Sequence, residues 1–217
     1  RQADKYHVPR ICFINKMDKV GGDYYKAIDT IINRLKANPI PMQIPMGSED
    51  QYHGVIDLVE GKSFVFDSEG VMTEGGVPSE YLEDFEVRRA KMIEKFAEQD
   101  DNLLEKFLNE EEISIEELKA SIRSTTISNK AIPVYCGTAL KNKCIQPLLD
   151  AIGDYLPSPL DVPSVEGVKP GTSDVVIRDA KNEEPFAALA FKTVTDPYIG
   201  RLVYFRVYSG SAKSGSS

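Results

Sequence analysis

The sequence predicts an α/β fold with a parallel sheet and helices, because two stretches each read as a buried strand, a polar loop and a helix. The first strand is the apolar, β-branched run at 10–14, and apolar residues then recur at helical spacing over 28–35. The second strand is the similar run at 132–136, and a helix follows it over 145–156. Between the two stretches, the pattern predicts strands and then further helices.

The helix after the first strand begins at Asp23, a residue suited to cap a helix N-terminus, and ends at Asn38-Pro39. Strand-like runs follow at 41–46, 54–59 and 62–66. Glu60-Gly61 separates the last two runs and predicts a hairpin with a two-residue turn.

From Tyr81 the apolar spacing becomes helical and predicts three helices, the third capped by Ser114 and Glu117 in a capping box. Residues 79–120 hold fourteen acidic and six basic residues, so they carry the whole formal net charge of -8. A solvated helical face is the more common explanation of such a run, and an acidic docking surface for a basic partner is the functional one. The negative balance argues against a chain that coats nucleic acid, although a local basic patch stays compatible with it.

The last third of the sequence predicts a linker and then two strands. Pro, Gly and Asp are frequent over 158–184, and strand-like runs follow at 186–194 and 202–208. The first residue is Arg rather than Met, and residues 211–217 are mostly small and polar. We therefore expect an internal segment of a longer chain, with residues 211–217 disordered.

The composition is that of a globular protein, with 41% hydrophobic and 28% charged residues. No run of about 20 apolar residues occurs, so no membrane partner is expected. The three cysteines are odd in number and lack metal-ligand spacing, which indicates reduced thiols in or near the core. With only two histidines, no histidine-based zinc site and no other metal site is predicted.

The loop directly after the first strand carries residues whose chemistry suits guanine, at the strand end where open α/β sheets bind ligands. The candidates are Asn15, Lys16, Met17 and Asp18. The Asp18 carboxylate can accept hydrogen bonds from N1–H and N2–H₂ of guanine, whereas adenine presents no such donor pair. The stem of Lys16 can cover the purine, Asn15 can tie its loop to a neighbouring one, and Met17 need only pack.

A second loop, after the strand at 132–136, completes the expected pocket. Its candidate residues are Thr138, Ala139 and Leu140. A small residue there lets a backbone N–H approach guanine O6, and Thr138 can hydrogen-bond to Asp18. The motif at 15–18 is weak alone, because a polar loop with a capping Asp would look the same. Its position after a strand and the presence of the second loop strengthen it.

Long stretches of the sequence resemble the elongation factor G family of translational GTPases. The matching segments include FINKMDK, GTALKNKCIQPLLDAIGDYLPSPLDVP and EPFAALAFKTVTDPYIGRLVYFRVYSG, so the resemblance covers essentially the whole chain. It implies a partial P-loop-type G domain, with a parallel sheet and helices, at 1–40 and 129–157. An inserted α+β subdomain, G′, would occupy 41–128, a linker 158–184, and the truncated start of a β-barrel domain 185–217.

The resemblance also implies GTP or GDP as ligand, with Mg²⁺ in the intact parent, and the ribosome as partner through its stalk protein and ribosomal RNA. The parent would hydrolyse GTP and promote translocation of tRNA and mRNA. The sequence has no GxxxxGK[ST] phosphate loop, so we expect this segment to be inactive, with no catalytic residue and no Mg²⁺ ligand. The family usually has Ser in place of Thr138, which keeps the hydroxyl.

In this family the inserted subdomain faces the ribosomal stalk, which implies a stalk contact for the acidic helices. The candidate acids are Glu94, Glu98, Asp101 and Glu105. Two alternatives stay open: a related ribosome-binding GTPase, such as a ribosome protection protein or a release-factor recycler, and a non-catalytic stalk-interaction module. The bacterial cytoplasm is the expected location, and a mitochondrial or plastid form stays open. The strand at 10–14 is expected at a sheet edge, which predicts self-association.

Overall fold

A computed structural model describes residues 2–169 and 171–215 of the chain. The chain divides into two compact units, Arg1–Leu156 and Pro157–Ser217. The strands of the first unit are β1 (Cys12–Ile14), β2 (Pro39–Pro41), β3 (Gln43–Met46), β4 (Gly54–Asp57), β5 (Lys62–Phe66), β6 (Met72–Gly76) and β7 (Ile132–Cys136). Its helices are α1 (Gln2–Lys5), α2 (Tyr24–Thr30), α3 (Leu82–Ala97), α4 (Asp101–Leu108), α5 (Ile115–Ile127) and α6 (Ile145–Tyr155).

A parallel sheet in the order β1-β7-β2 confirms the predicted α/β class. All five residues of β7 are buried, as expected of a central strand that is covered on both faces. β1 pairs with β7 in the register Cys12↔Val134 to Ile14↔Cys136, so the two strands predicted from the sequence are neighbours. β1 is one edge of this described sheet, and the self-association predicted from that edge remains a prediction.

The strand expected at 41–46 is divided between two sheets. Pro39–Pro41 joins the parallel sheet beside β7, whereas Gln43–Met46 pairs with β4 in an antiparallel sheet. The switch falls at Met42, whose N–H donates to the carbonyl oxygen of Val134 at 3.0 Å. An apolar run with regular strand character does not show where it changes partner, because both halves are buried in the same way.

The second sheet is an antiparallel meander in the order β3-β4-β5-β6. Its β4–β5 turn has four residues, 58–61, rather than the predicted two, because Asp57 pairs with Lys62. The Asp57 carboxylate accepts hydrogen bonds from the N–H groups of Val59 and Glu60 at 2.9 and 2.8 Å and so fixes the longer turn. The sequence did not predict β6, because MTEGG has no apolar alternation.

The helix caps agree with the sequence. The Asp23 side chain accepts from the N–H of Lys26 at the start of α2, and Ser114 and Glu117 form the predicted capping box at the start of α5. After α2 the chain continues as a π-helical turn at Ile31–Leu35 and ends with Lys36 in the left-handed conformation. The helix therefore ends two residues before the predicted Asn38-Pro39.

One hydrophobic core joins the helices of the segment between β2 and β7, called the insertion below, to the parallel sheet. Phe96 of α3 and Leu118 of α5 are fully buried in the same cluster as Ile40 of β2 and Tyr135 of β7. The insertion therefore shares its core with the sheet instead of forming an independent domain. A second cluster, which includes Met17, Tyr24 and Cys136, lies under the loop that follows β1.

The second unit contains β8 (Val165–Val168), β9 (Val175–Arg178), β10 (Ala187–Asp196) and β11 (Gly200–Ser209). The stretch predicted as a linker thus holds an antiparallel hairpin, β8-β9. β10 and β11 form a long antiparallel hairpin, as the sequence predicts. Residues 211–215 form neither helix nor strand, and residues 216–217 lie outside the described part of the chain. In the described residues, no helix has the length and apolar character needed to cross a bilayer.

Candidate guanine-recognition site

The two predicted recognition loops meet at one edge of the parallel sheet. β1 and β7 run parallel and side by side, so the chain leaves both strands at the same edge. The first loop donates from the N–H of Met17 to the carbonyl oxygen of Gly137 at 3.2 Å. The second donates from the N–H of Gly137 to the carbonyl oxygen of Ile14 at 3.0 Å. Backbone hydrogen bonds thus hold together loops that lie about 120 residues apart in sequence.

Asn15 links the two loops, as expected. Its Oδ1 accepts hydrogen bonds from the N–H of Lys16 at 2.8 Å and from the N–H of Ala139 at 3.0 Å. The second bond joins the two loops directly. The approach of a backbone N–H of this loop to guanine O6 stays a prediction.

Asp18 lies at the centre of the site, close to one hydroxyl and two ammonium groups. Its side chain is 4% exposed, and the Thr138 hydroxyl donates to Oδ1 at 3.2 Å, as predicted. The Lys141 ammonium lies 2.8 Å from Oδ2, and the Lys19 ammonium lies at 3.9 Å. The Lys141 ammonium holds the pKa of the Asp18 carboxyl below its ordinary value, against the opposite effect of burial. Asp18 is therefore an ionised acceptor at neutral pH.

Sequence reasoning missed Lys141, which follows the three residues predicted in the second loop. Its position beside Asp18 depends on the tight backbone of that loop, where the N–H groups of Thr138 and Lys143 each donate to the other residue's carbonyl oxygen, at 3.0 and 3.1 Å. Asn142 adopts the left-handed conformation at the tip. The sequence does show a basic residue directly after the predicted motif. Its spacing, however, does not show which carboxylate it pairs with.

The other candidate residues divide into buried and exposed ones. Met17 is 2% exposed and packs in the second core cluster, as expected of a residue that only fills space. Lys16 is exposed and adopts a left-handed backbone conformation with φ 66°. Leu140 is 94% exposed. An exposed aliphatic side chain on each loop beside a buried carboxylate is suited to hold the two faces of a flat base.

Gly137 is required where the second loop begins. A Cβ at this position would lie 2.5 Å from the carbonyl oxygen of Lys143 and 2.8 Å from the ring of Phe13. Both distances are shorter than real contacts allow, so a side chain here would push the loop away from β1. The close approach of the loops thus depends on this glycine.

The four acidic residues predicted as a stalk contact all lie exposed on α3, on α4 and in the bend between them. They are Glu94, Glu98, Asp101 and Glu105. Glu98 is paired with Lys95 at 2.8 Å, which reduces its free charge. The structure brings these acids into one neighbourhood because α3 packs against α4. They do not contribute to the guanine-recognition site.

Comparison with known proteins shows the family of the chain. A family model described as the elongation factor Tu GTP binding domain matches residues 1–158. The chain belongs to this family. Both recognition loops lie inside the matched residues, so the site described above falls within the GTP-binding domain of the family.

Relatives with the name elongation factor G align with the whole chain. The protein from Thermotoga maritima is 56% identical over 218 residues, which cover 100% of this chain and 32% of the relative. The protein from Thermotoga sp. strain RQ2 is also 56% identical, and the alignment covers 100% of this chain and 31% of that relative. The chain therefore spans about a third of the curated relatives it matches.

A solved structure shows a similar fold. A crystal structure of a protein from Thermus thermophilus matches with a TM-score of 0.75 at 27% identity, covering 99% of this chain and 29% of that one. The structural match supports the α/β class, and the family model supports the GTP-binding domain.

Proposed function

We propose that this chain supplies the guanine-specificity half of the nucleotide site in a translation factor of the elongation factor G type. The observation that carries the proposal is the buried, ionised Asp18, oriented by Thr138 from the neighbouring loop. The N1–H and N2–H₂ donors of guanine fit a fixed carboxylate, and adenine has no such pair. The elongation factor G relatives support the same assignment.

Recognition would follow from the groups on the two loops. A carboxylate has about four lone-pair sites, so Asp18 can keep the Thr138 hydroxyl on Oδ1 and still accept from the base. The Lys141 ammonium on Oδ2 must shift or share that oxygen with a guanine N–H. Lys16 and Leu140 would cover the two faces of the purine. Asn15 would hold both loops at the required spacing.

The whole protein would hydrolyse GTP and promote movement of tRNA and mRNA on the ribosome in the cytoplasm, as the resemblance to elongation factor G implies. This chain would contribute base selection and not the chemical step, because it has no phosphate-loop motif. Mg²⁺ would be held elsewhere in the whole protein. Among the described residues, no group of three or more His, Cys, Asp or Glu side chains is placed to hold a metal ion.

The test is a titration of the isotope-labelled chain with GDP, and with ADP as the control. We expect GDP-selective amide shifts at 15–18 and 137–141, with weak affinity because contacts to the phosphates are absent from these loops. Equal shifts with GDP and ADP would contradict guanine selectivity.

The acidic surface on α3 and α4 is proposed to contact the ribosomal stalk protein. Four exposed carboxylates in one neighbourhood favour a basic partner and increase the rate of its association.

Reversal of Glu94, Glu98 and Asp101 to Lys in the full-length protein is expected to lower stalk-dependent GTPase stimulation about tenfold at low salt. Addition of salt should reduce the difference, because screening weakens steering. The matched control reverses three exposed acids outside α3 and α4, at Asp29, Asp150 and Glu166. An equal loss in both triple variants would remove the stalk assignment.

A further inference from the structure

The inserted segment reaches the loop that carries Asp18 through one carboxylate. Oε1 of Glu49 accepts a hydrogen bond from the N–H of Gly21 at 2.8 Å. Gly21 lies three residues after Asp18, at the far end of the same loop. Glu49 lies between β3 and β4 of the antiparallel meander, so this bond joins two different sheets of the first unit.

This bond crosses an open cleft. A cleft of about 410 Å³ lies between the recognition loop and α2 on one side and the insertion on the other. The first side is lined by residues 17 and 21–26, and the second by residues 45 and 47–49. Gly21 and Glu49 both line it. A Cβ on Gly21 would meet no atom within 4 Å, so at this residue the loop is held by a polar bond and not by close packing.

The backbone around Glu49 forms a tight turn, which sets the direction in which its side chain leaves the chain. Glu49 adopts the left-handed conformation with φ 53°, and Gly47 has φ 77°. A Cβ on Gly47 would lie 2.1 Å from the carbonyl oxygen of Gln51, so the turn closes tightly on itself. A glutamate on a tight turn loses less freedom on forming the bond than one on an open loop.

The insertion also touches the second recognition loop. Gly70, in the β5–β6 turn, lies so close that a Cβ there would be 2.7 Å from the carbonyl oxygen of Lys141. The hydroxyl of Tyr52 lies 3.0 Å from Sγ of Cys144, at the end of the same loop. The insertion therefore contacts both recognition loops.

We propose that Glu49 is a positioning residue for guanine recognition, which acts by fixing the Asp18 loop through the N–H of Gly21. The proposal rests on the proposed guanine function of Asp18. The insertion would thereby set the affinity of the base site without a contact to the nucleotide. Loss of the Glu49 carboxylate frees the loop end. The binding of guanine must then offset the entropic cost of ordering the loop, which lowers the affinity.

The test compares Glu49→Ala and Glu49→Gln with the matched control Asp50→Ala. Asp50 is the next residue in the chain and is exposed. Two quantities are measured in each variant: hydrogen exchange of the amides at 16–22, and GDP affinity by titration. In Glu49→Ala we expect faster exchange at Gly21 and about threefold to tenfold weaker GDP binding. Glu49→Gln keeps an acceptor oxygen and should restore most of the affinity, and Asp50→Ala should match the wild type.

The outcomes separate the two proposals. Unchanged exchange at Gly21 and unchanged GDP affinity in Glu49→Ala, with selective GDP binding by the wild type, would overturn the role of Glu49 and leave the base site intact. Equal losses in Glu49→Ala and Asp50→Ala would also overturn it, because a general charge effect would then be the cause. A wild type that binds GDP and ADP equally would overturn the base site and the role of Glu49 together.

Discussion

Asp18→Asn is expected to change the base preference of the site from guanine to xanthine. The asparagine amide cannot accept from both N1–H and N2–H₂ of guanine, and its NH₂ group meets the guanine NH₂ as one donor against another. Xanthine carries a carbonyl oxygen at position 2, which that NH₂ group can donate to. Loss of a charge-assisted hydrogen bond and a new donor clash together predict about 100-fold weaker GDP binding. Competition between GDP and the xanthine nucleotide measures the change.

The matched control is Asp29→Asn, which makes the same substitution at an exposed position of α2. It should leave both affinities unchanged. In Asp18→Asn the Thr138 hydroxyl can still donate to the side-chain oxygen of the introduced asparagine, so we expect the loops to keep their contact. Retention of the full guanine preference in Asp18→Asn would show that another group reads the base.

Phe96→Ala is expected to destabilise the first unit by about 3–5 kcal/mol. Phe96 is fully buried in the cluster that joins α3 to the parallel sheet through Ile40 and Tyr135. Removal of the ring leaves a cavity that neighbours from two sheets and several helices cannot all close. Urea unfolding followed by circular dichroism measures the loss, since the sequence has no Trp to report by fluorescence.

Val87→Ala is the control on the same helix, because Val87 is 48% exposed. Its cost should stay below about 1 kcal/mol, as for most surface substitutions. A similar small cost for Phe96→Ala would mean that the insertion does not share a core with the sheet. Whether the insertion and the parallel sheet share a core matters because a shared, closely packed core transmits strain between the two.

The strands β1 and β7 and the central pair of the site could be predicted because local signals sufficed. Apolar β-branched runs marked β1 and β7, and parallel neighbours bring their following loops to one edge, so Asp18 and Thr138 could be placed together. The division at Met42 could not be predicted, since apolar residues continue on both sides of that position. Lys141 and Glu49 were missed for another reason. Each has a partner that is distant in sequence, and the residues next to each in the sequence form no motif that indicates a role.

The place of the insertion between β2 and β7 has a consequence for chain connectivity. β2 and β7 are parallel neighbours, so the segment between them is a crossover connection that leaves the end of β2 and returns to the start of β7. The entropy of loop closure grows only with the logarithm of loop length. Extending the connection between the two recognition loops from about 30 to about 120 residues therefore adds about 1 kcal/mol to the free-energy cost of closing that connection. The parallel sheet can therefore accept a large insertion between β2 and β7 at a small free-energy cost of loop closure. The buried contacts of the insertion offset that cost several times over.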